Sequence, residues 1–327
     1  MGLVDRKKTR IKMKYNRYTS DSPKVSEIGL GAWQLGANTI SNGMSEKEAI
    51  TMVHKALEAG INFYDTAPNY GLGTSEERLG KAFKSVDRDS IVVNTKFGHT
   101  VKGGNDYSAG HIRRSLEGSL KRLGFDYVDS LIFHNPPFEI LDGSKNPHYE
   151  ILEKLKEEGK IKAYGASVDT YEEMKLFLDT TQGEVVEAFF NILHQDTARG
   201  FEQAIKQEIG LIVKIPLDSG WLSGKYSIDS TFEDIRSRWS KSDLQTRAQL
   251  VEKVKSILNL DKEYSLAQAA MAFCLSYDAV STVIPGNSSL AQLESNIAST
   301  RVRLESEKIR KLEDFYHNEV KELKLPW

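Results

Sequence analysis

Several things are scarce in this sequence, and each scarcity closes a class of function. One cysteine, Cys274, in 327 residues excludes an intramolecular disulfide framework and a thiolate-rich metal site. No window approaches the roughly eighteen consecutive apolar residues that a membrane-spanning helix requires. Neither sign of charge is in excess: 44 Lys and Arg face 46 Asp and Glu, a formal charge of −2. That balance provides no basic field for nucleic acid or for an acidic membrane surface. Phosphate-cradling glycine turns are missing too. Gly29-Leu30-Gly31 runs on into Ala32-Trp33-Gln34, and Gly71-Leu72-Gly73 into Thr74-Ser75-Glu76. Neither completes G-x-G-x-x-G, so the Rossmann and P-loop turns are excluded. The zinc-protease helix, the EF-hand loop and the G-x-S-x-G elbow are likewise absent. A nucleotide, if one binds, is held in another way.

What the chain does contain is ample core material: 39% hydrophobic and 28% charged residues, enough to bury a sizeable core and stay in solution. The first residues are basic (Arg6, Lys7, Lys8, Arg10, Lys12, Lys14, Arg17) with no apolar stretch behind them, unlike a secretory signal. They read as a solvated N-terminal extension over 1–18, ahead of one domain over 19–327. The expected compartment is the cytoplasm. Eight short β-branched or aromatic runs follow, at 28–33, 62–66, 91–96, 128–134, 161–167, 185–192, 211–216 and 282–285. Several are almost continuously apolar, as parallel strands covered on both faces are.

Amphipathic helices alternate with them. Ser45 and Glu48 form a capping box before Ile50, Val53, Ala56 and Leu57, and Gly60 ends that run. Thr74 with Glu77 is expected to open the next helix. Ile112, Leu116, Leu120 and Leu123 make a third stripe that Gly124 closes, and Thr170 with Glu173 caps another. Eight βα units favour a closed (β/α)₈ TIM barrel, an α/β fold, over an open sheet. The seventh and eighth strands start at 211 and 282, so an insertion lies after the seventh, with helices expected over 244–258 and 265–277. The tail, 306–323, reads as one further helix.

The chemically informative residues fall at the C-terminal ends of consecutive strands, which in a barrel converge on one pocket. Asp65 closes the second strand, and Tyr70 lies just beyond in Asp65-Thr66-Ala67-Pro68-Asn69-Tyr70-Gly71. Lys96 closes the third strand and His134 the fourth. A tyrosine titrates near 10, too high for neutral proton transfer, and a neighbouring ammonium is expected to lower it, with a carboxylate fixing the ammonium. A neutral imidazole donates to a carbonyl oxygen as it gains charge. Such a set protonates the alkoxide left by hydride attack, which calls for a nicotinamide cofactor.

At this point the chain resembles the aldo-keto reductase superfamily, over nearly its whole length. The matching segments are Val25-Ser26-Glu27-Ile28-Gly29-Leu30-Gly31, Asp65-Thr66-Ala67, Tyr70-Gly71, Gly73-Thr74-Ser75-Glu76, Ser119-Leu120-Lys121-Arg122-Leu123, Asp126-Tyr127-Val128-Asp129, Gly159-Lys160-Ile161 and Ile284-Pro285-Gly286. The resemblance implies a (β/α)₈ barrel that binds NADP(H) extended. It also implies a catalytic tetrad of Asp65, Tyr70, Lys96 and His134, with Tyr70 as general acid, Lys96 and Asp65 tuning it, and His134 orienting the carbonyl.

The positions expected to hold cofactor depart from the family pattern. Ser167-Val168 stands where Ser-Asn is usual, Glu187 where Gln is usual, and Lys214 where an aromatic ring often covers the nicotinamide. Pro216, Leu217, Ser219, Gly220, Leu222, Gly224 and Lys225 form the stretch expected over the pyrophosphate. Ser289 and Gln292 read as a capping box, and Gly286, Asn287, Ser288, Gln292 and Asn296 are expected around the adenosine end. No cation stands among these, although phosphate recognition is strengthened by charged donors, so NAD(H) is an expected alternative to NADP(H). Trp33, Asn135 and Trp221 are expected to line the substrate pocket. Cys274 reads as core, and His54, His99, His111, His148, His194 and His317 read as surface or structural residues. The function expected is reduction of aldehydes or ketones to alcohols, or its reverse on alcohols and sugar lactols. The alternative is a nucleotide-binding regulatory subunit that keeps the barrel. The partner expected is a small carbonyl or alcohol.

Overall fold

A computed structural model describes residues 13–36, 44–260, 263–323 and 325–326. Eight parallel strands form its centre: β3 (Leu30–Gly31), β4 (Phe63–Asp65), β5 (Val92–Phe97), β6 (Val128–Phe133), β7 (Ile161–Val168), β8 (Val185–Phe189), β9 (Gly210–Lys214) and β10 (Val280–Val283). Each pairs with its sequence neighbour. The ring closes where Gly29 N donates to Val283 O (2.9 Å) and Val283 N to Glu27 O (3.0 Å). Every residue of β5 and β6 is buried, because helices cover the outside and side chains fill the inside. All eight expected strands are present.

The sequence signals fix most helix ends. Ser45 and Glu48 cap α1 (Glu46–Glu58) reciprocally, and Thr170 and Glu173 do the same for α5 (Tyr171–Thr180). Gly124, in the left-handed conformation, ends α3 (Ala109–Leu123). α2 (Thr74–Ala82) departs from expectation: Gly73, with φ +93°, occupies the N-cap and Thr74 is already helical. The side chain on Thr74 therefore caps nothing, and the turn relies on glycine's tolerance of positive φ. α4 (His148–Glu157) and α6 (Phe201–Lys206) complete the outer layer on that side. Two helices, α7 (Lys241–Leu258) and α8 (Leu266–Cys274), occupy the insertion between β9 and β10, and α9 (Leu290–Ala298) follows β10. The tail is not one regular helix. α10 (Ser306–Phe315) widens over Tyr316–Val320 and tightens over Lys321–Leu323.

The boundary expected at residue 18 also needs correction. β1 (Tyr15–Asn16) and β2 (Val25–Ser26) pair as an antiparallel hairpin. Tyr18, just after β1, is 1% exposed, its ring edge-on to Phe63 at 5.2 Å between centroids. Tyr18 and Val25 join Phe63, Val92, Ala163, Val185 and Ile212 in the apolar interior of the barrel. The hairpin thus seals the N-terminal end, where inward-facing apolar side chains would otherwise meet water. Residues 1–12 and 37–43 lie outside the described residues. A second, larger core between strands and helices includes the buried Cys274.

Candidate active site

Strand alternation puts residues 92, 94 and 96 of β5 on the barrel's inside, and likewise 130 and 132 of β6 with His134 just beyond it. The inward set changes from apolar at the hairpin end to polar at the other. Asp65, Lys96, Glu187, Ser167 and Lys214 gather at the C-terminal rim, all buried. Lys96 Nζ lies 2.5 Å from Asp65 Oδ1, 3.2 Å from Glu187 Oε2 and 3.2 Å from the Thr66 carbonyl oxygen. It also lies 5.3 Å from the centre of the Tyr70 ring. His134 stands edge-on to Tyr70, with centroids 5.8 Å apart. The four residues of the expected tetrad are therefore neighbours.

The loop that carries Tyr70 is pinned by the motif residues after it. Ser75 Oγ donates to the Ala32 carbonyl (2.7 Å) and meets Thr66 Oγ1 at 3.0 Å. Glu76, fully buried, accepts from Thr95 Oγ1 and from Arg122 Nε, each at 2.7 Å. The Gly73-Thr74-Ser75-Glu76 segment thus serves the loop's geometry. On the far side, Tyr107 Oη donates to the carbonyls of His134 (2.5 Å) and Asn135 (2.9 Å). Asn135 has φ +47°, a conformation asparagine tolerates better than most.

Below the rim a donor chain runs from the hairpin to the site. Ser130 Oγ donates to Asn94 Oδ1 (2.6 Å) and Asn94 Nδ2 to Asp65 Oδ1 (2.7 Å). With its hydrogen committed to Asn94, Ser130 accepts from Tyr18 Oη at 2.7 Å. The chain fixes the orientation of the Asn94 amide and hence the oxygen of Asp65 that Lys96 meets.

Electrostatics correct one expectation. Burial is the largest influence on Tyr70 and raises its pKa; Lys96 pulls it down, while Asp65 and Glu187 push it up, and the net shift is upward. The expected lowering by the ammonium is present but outweighed by desolvation and two carboxylates. Burial and Glu187 push Asp65 up to about 7 against the pull of Lys96 and Asn94. Lys96 is raised, because Asp65, Glu187 and Tyr70 outweigh its own burial. Burial, then Lys96, His99 and Lys214, hold His134 well below the ordinary imidazole value. The ring is thus neutral at physiological pH.

The expected cofactor positions fall into three groups. Ser167 Oγ is 3.3 Å from Glu187 Oε1 and 3.1 Å from Asn135 Oδ1. Lys214 is not a bare stem over a ring. Its Nζ donates to Asn135 Oδ1 (2.9 Å) and Ser167 Oγ (2.8 Å) and pairs with Asp169 Oδ1 (2.7 Å). The segment 215–224 follows β9. Ile215, Asp218, Ser219, Gly220 and Gly224 all have positive φ, and the turn is closed by its own backbone, the amides of Asp218 and Gly220 donating to the carbonyls of Ile215 (3.1 Å) and Leu217 (2.9 Å). Pro216, Leu217, Leu222 and Lys225 belong to the same segment. Trp221 is fully buried against Tyr226 and Trp239, at 5.8 and 6.2 Å between centroids, its Nε1 without a hydrogen-bond partner.

At α9, Ser289 Oγ accepts from Gln292 N, but Gln292 Oε1 is taken by the Ser288 amide (2.7 Å), so the capping is not reciprocal. Asn296 Nδ2 donates to Asn287 Oδ1 (2.8 Å) and Asn287 Nδ2 to the Pro285 carbonyl (3.0 Å). These two asparagines are buried and occupied with the turn itself. Gly286 leaves the space that Gln34 fills, since a Cβ there would stand 2.1 Å from Gln34 Nε2. Trp33 is half-buried at the same rim.

Two residues escaped the sequence reading. His99 stacks on His134 with ring centroids 4.1 Å apart and 28° between planes, a contact that no local pattern announces. Gln34 Oε1 is buried without a hydrogen-bond partner, as is His134 Nδ1. Unpaired buried polar atoms of Gln34 and His134 beside this rim fit an extended dinucleotide with amide and phosphate groups to satisfy.

The comparisons agree with this geometry. The profile of the Aldo/keto reductase family matches residues 27–317. The chain is 34% identical over 285 residues to the L-galactose dehydrogenase of Arabidopsis thaliana, covering 84% of each sequence. It is 27% identical over 311 residues to the NADH-specific methylglyoxal reductase of Escherichia coli (strain K12), covering 86% of this chain and 91% of the relative. Among solved structures, an aldo-keto reductase from Bacillus halodurans in its holo form superposes with a TM-score of 0.76 at 26% identity, over 93% of this chain and 96% of the other.

Proposed function

This chain belongs to the aldo/keto reductase family, and from that premise we propose that it interconverts small carbonyl compounds and alcohols, with Tyr70 as the group that gives or takes the proton. The observation that carries the reading is the convergence of Asp65, Lys96, Tyr70 and His134 at the ends of three adjacent strands. A bound nicotinamide nucleotide supplies the hydride. Ser167, Glu187, Lys214, the 215–225 segment and the Gly286 turn are the residues that would hold it.

The chain's own groups do the rest. In reduction the phenol of Tyr70 donates its proton to the substrate oxygen as charge builds there; in oxidation the phenolate takes it back. Lys96, fixed by Asp65, stabilises the phenolate as it forms. Neutral His134 donates a hydrogen bond to the same oxygen. Asn135 and Trp33 border the substrate end. Two relatives carry names for opposite directions, a dehydrogenase of L-galactose and a reductase of methylglyoxal, and a reversible proton donor serves both. The proposed cofactor range includes NADH, because Asn287, Ser288, Gln292 and Asn296 offer no cation to a 2′-phosphate.

The test follows absorbance of NADH and of NADPH with 4-nitrobenzaldehyde, for the wild type and Tyr70→Phe. Loss of a general acid lowers kcat about 10²- to 10⁴-fold. Unchanged turnover in Tyr70→Phe would remove Tyr70 from its role. NADPH bound several hundredfold tighter than NADH would overturn the cofactor reading.

A further inference from the structure

The site contains a second buried carboxylate for which proton transfer by the four residues has no task. Glu187, on β8, is 3% exposed. Its Oε2 stands 3.2 Å from Lys96 Nζ, on which Asp65 Oδ1 also closes at 2.5 Å. Asn94 spans the two acids, its Nδ2 2.7 Å from Asp65 Oδ1 and 3.5 Å from Glu187 Oε2. Ser167 Oγ holds the other Glu187 oxygen at 3.3 Å. One ammonium is thus bracketed by two carboxylates in a place that water does not reach.

The charge count differs from that of a simple Lys–Asp pair. Once pH rises through the raised value of Asp65, about 7, and both acids are ionised, the cluster sums to −1, and a phenolate on Tyr70 would make it −2 in a medium that screens poorly. Other elements do not restore the missing positive charge. Lys214, on β9, is engaged by Asp169 at 2.7 Å. His134, beyond β6, and His99, stacked on it, are both held toward the neutral form by burial and nearby cations. Tyr18, from below, is a neutral donor into the Ser130–Asn94 chain. Burial raises Tyr70, and Asp65 and Glu187 each add to that rise while Lys96 opposes it.

Resting on the assignment of Tyr70 as proton donor, we infer that Glu187 is a positioning residue for the proton transfer: as the second counter-ion of Lys96 it turns the ammonium's field partly away from Tyr70, so the hydroxyl keeps its proton until charge develops on the substrate oxygen. The reaction itself is unchanged. In the oxidative direction the substrate O–H proton would pass to the Tyr70 oxygen, while the C–H electron pair would leave as hydride for a nicotinamide that Ser167, Lys214 and the 215–225 segment would hold. Glu187 sets the pH at which that oxygen is available. The consequence is a reductive activity that persists into alkaline solution and an oxidative activity that develops only there.

The experiment compares pH profiles of kcat/KM in both directions for the wild type, Glu187→Gln and Glu187→Asp. It is joined by ¹³Cζ-tyrosine NMR titration of the cofactor-free proteins, the Tyr70 resonance being assigned from Tyr70→Phe. Glutamine is nearly isosteric and keeps partners in Ser167 and Asn94. Its alkaline limb is expected to move to lower pH by about one unit or more, together with the Tyr70 resonance. Aspartate, one methylene short of Lys96, is expected to move both by less. A limb and resonance that stay in place in Glu187→Gln overturn the inference, as does an aspartate shift equal to the glutamine one, which would signal lost packing. Should Glu187→Gln fail to fold, an unshifted limb in Glu187→Asp overturns it instead. Tyr70→Phe separates the two readings. If that variant turns over normally, the donor assignment falls and this inference with it. If it is inactive while Glu187→Gln titrates like the wild type, only the role of Glu187 falls.

Discussion

At the scale of single residues, the site is a set of charges whose values are fixed by burial before any ligand arrives. Burial raises Tyr70 and lowers His134, and its acidic neighbours raise Lys96, so a protonated phenol, a neutral imidazole and an ammonium stand ready; Asp65, pushed up to about 7, becomes the full counter-ion of Lys96 only as pH rises through that value. His99 belongs to this scale. Its ring lies on His134 at 4.1 Å, and such stacking contributes about 0.5–1.5 kcal/mol beyond burial. His99→Ala should lower kcat by roughly two- to tenfold while leaving cofactor affinity unchanged, because the loss is in the aim of His134. Steady-state kinetics with a cofactor titration decides it; a change confined to cofactor affinity would remove His99 from this part. The tetrad was legible in the sequence because strand ends in a barrel converge. His99 and Gln34 were not, since each reaches the site through a loop whose path depends on distant packing.

At the scale of elements, the N-terminal hairpin does more than close the barrel. Tyr18 starts the donor chain that passes through Ser130 and Asn94 to Asp65. Tyr18→Phe keeps the ring that packs on Phe63 and removes only the donor. The expected cost is about 1 kcal/mol of stability, read as a lower denaturant midpoint at unchanged slope, with a small fall in kcat as the Asn94 amide loosens. A midpoint equal to the wild type would show that the chain adds nothing to the fold. Sequence patterning missed this hairpin because β1 and β2 are two residues each, too short for any alternation to register. The capping boxes of α1 and α5 were legible, as both partners lie within four residues. The N-cap at Gly73 was not, because Thr74 and Glu77 offer the same local pattern one position away.

At the scale of the whole molecule, the insertion after β9 is tied back to the end of the chain. Arg247 on α7 is fully buried, pairs with Asp218 at 3.1 Å, and donates to the Pro326 carbonyl. Trp239 Nε1 donates to the same carbonyl at 3.1 Å. Removing Arg247 leaves Asp218 buried, with His194 beside it at 3.4 Å as its remaining ion-pair partner among the described residues. Arg247→Met should therefore cost about 3–5 kcal/mol and weaken cofactor binding through the 215–224 segment, measured by thermal melting and by NADH titration. Asp218 also makes stability depend on acid. Burial alone would raise its pKa, but His194 and Arg247 overcome that and lower it. As pH falls, the unfolded chain takes up this proton first. Its contribution is complete above about pH 4 and is lost as pH falls through the lower folded value. Asp218→Asn should flatten the acid limb of a stability profile, and a limb as steep as the wild type's would discount the residue.

The sequence alone determined the eight-strand barrel, most helix ends and the four residues at three strand ends. Those follow from periodicity, local capping and the rule that parallel strands bring their C-terminal ends together. Tertiary structure decided which charges meet. Glu187 and Asp65 lie 122 positions apart yet close on one ammonium. Lys214 spends its charge on Asp169, and Tyr70 rises because desolvation outweighs the neighbouring cation. Electrostatic balance depends on distance and on the exclusion of water, and neither is written in the order of residues.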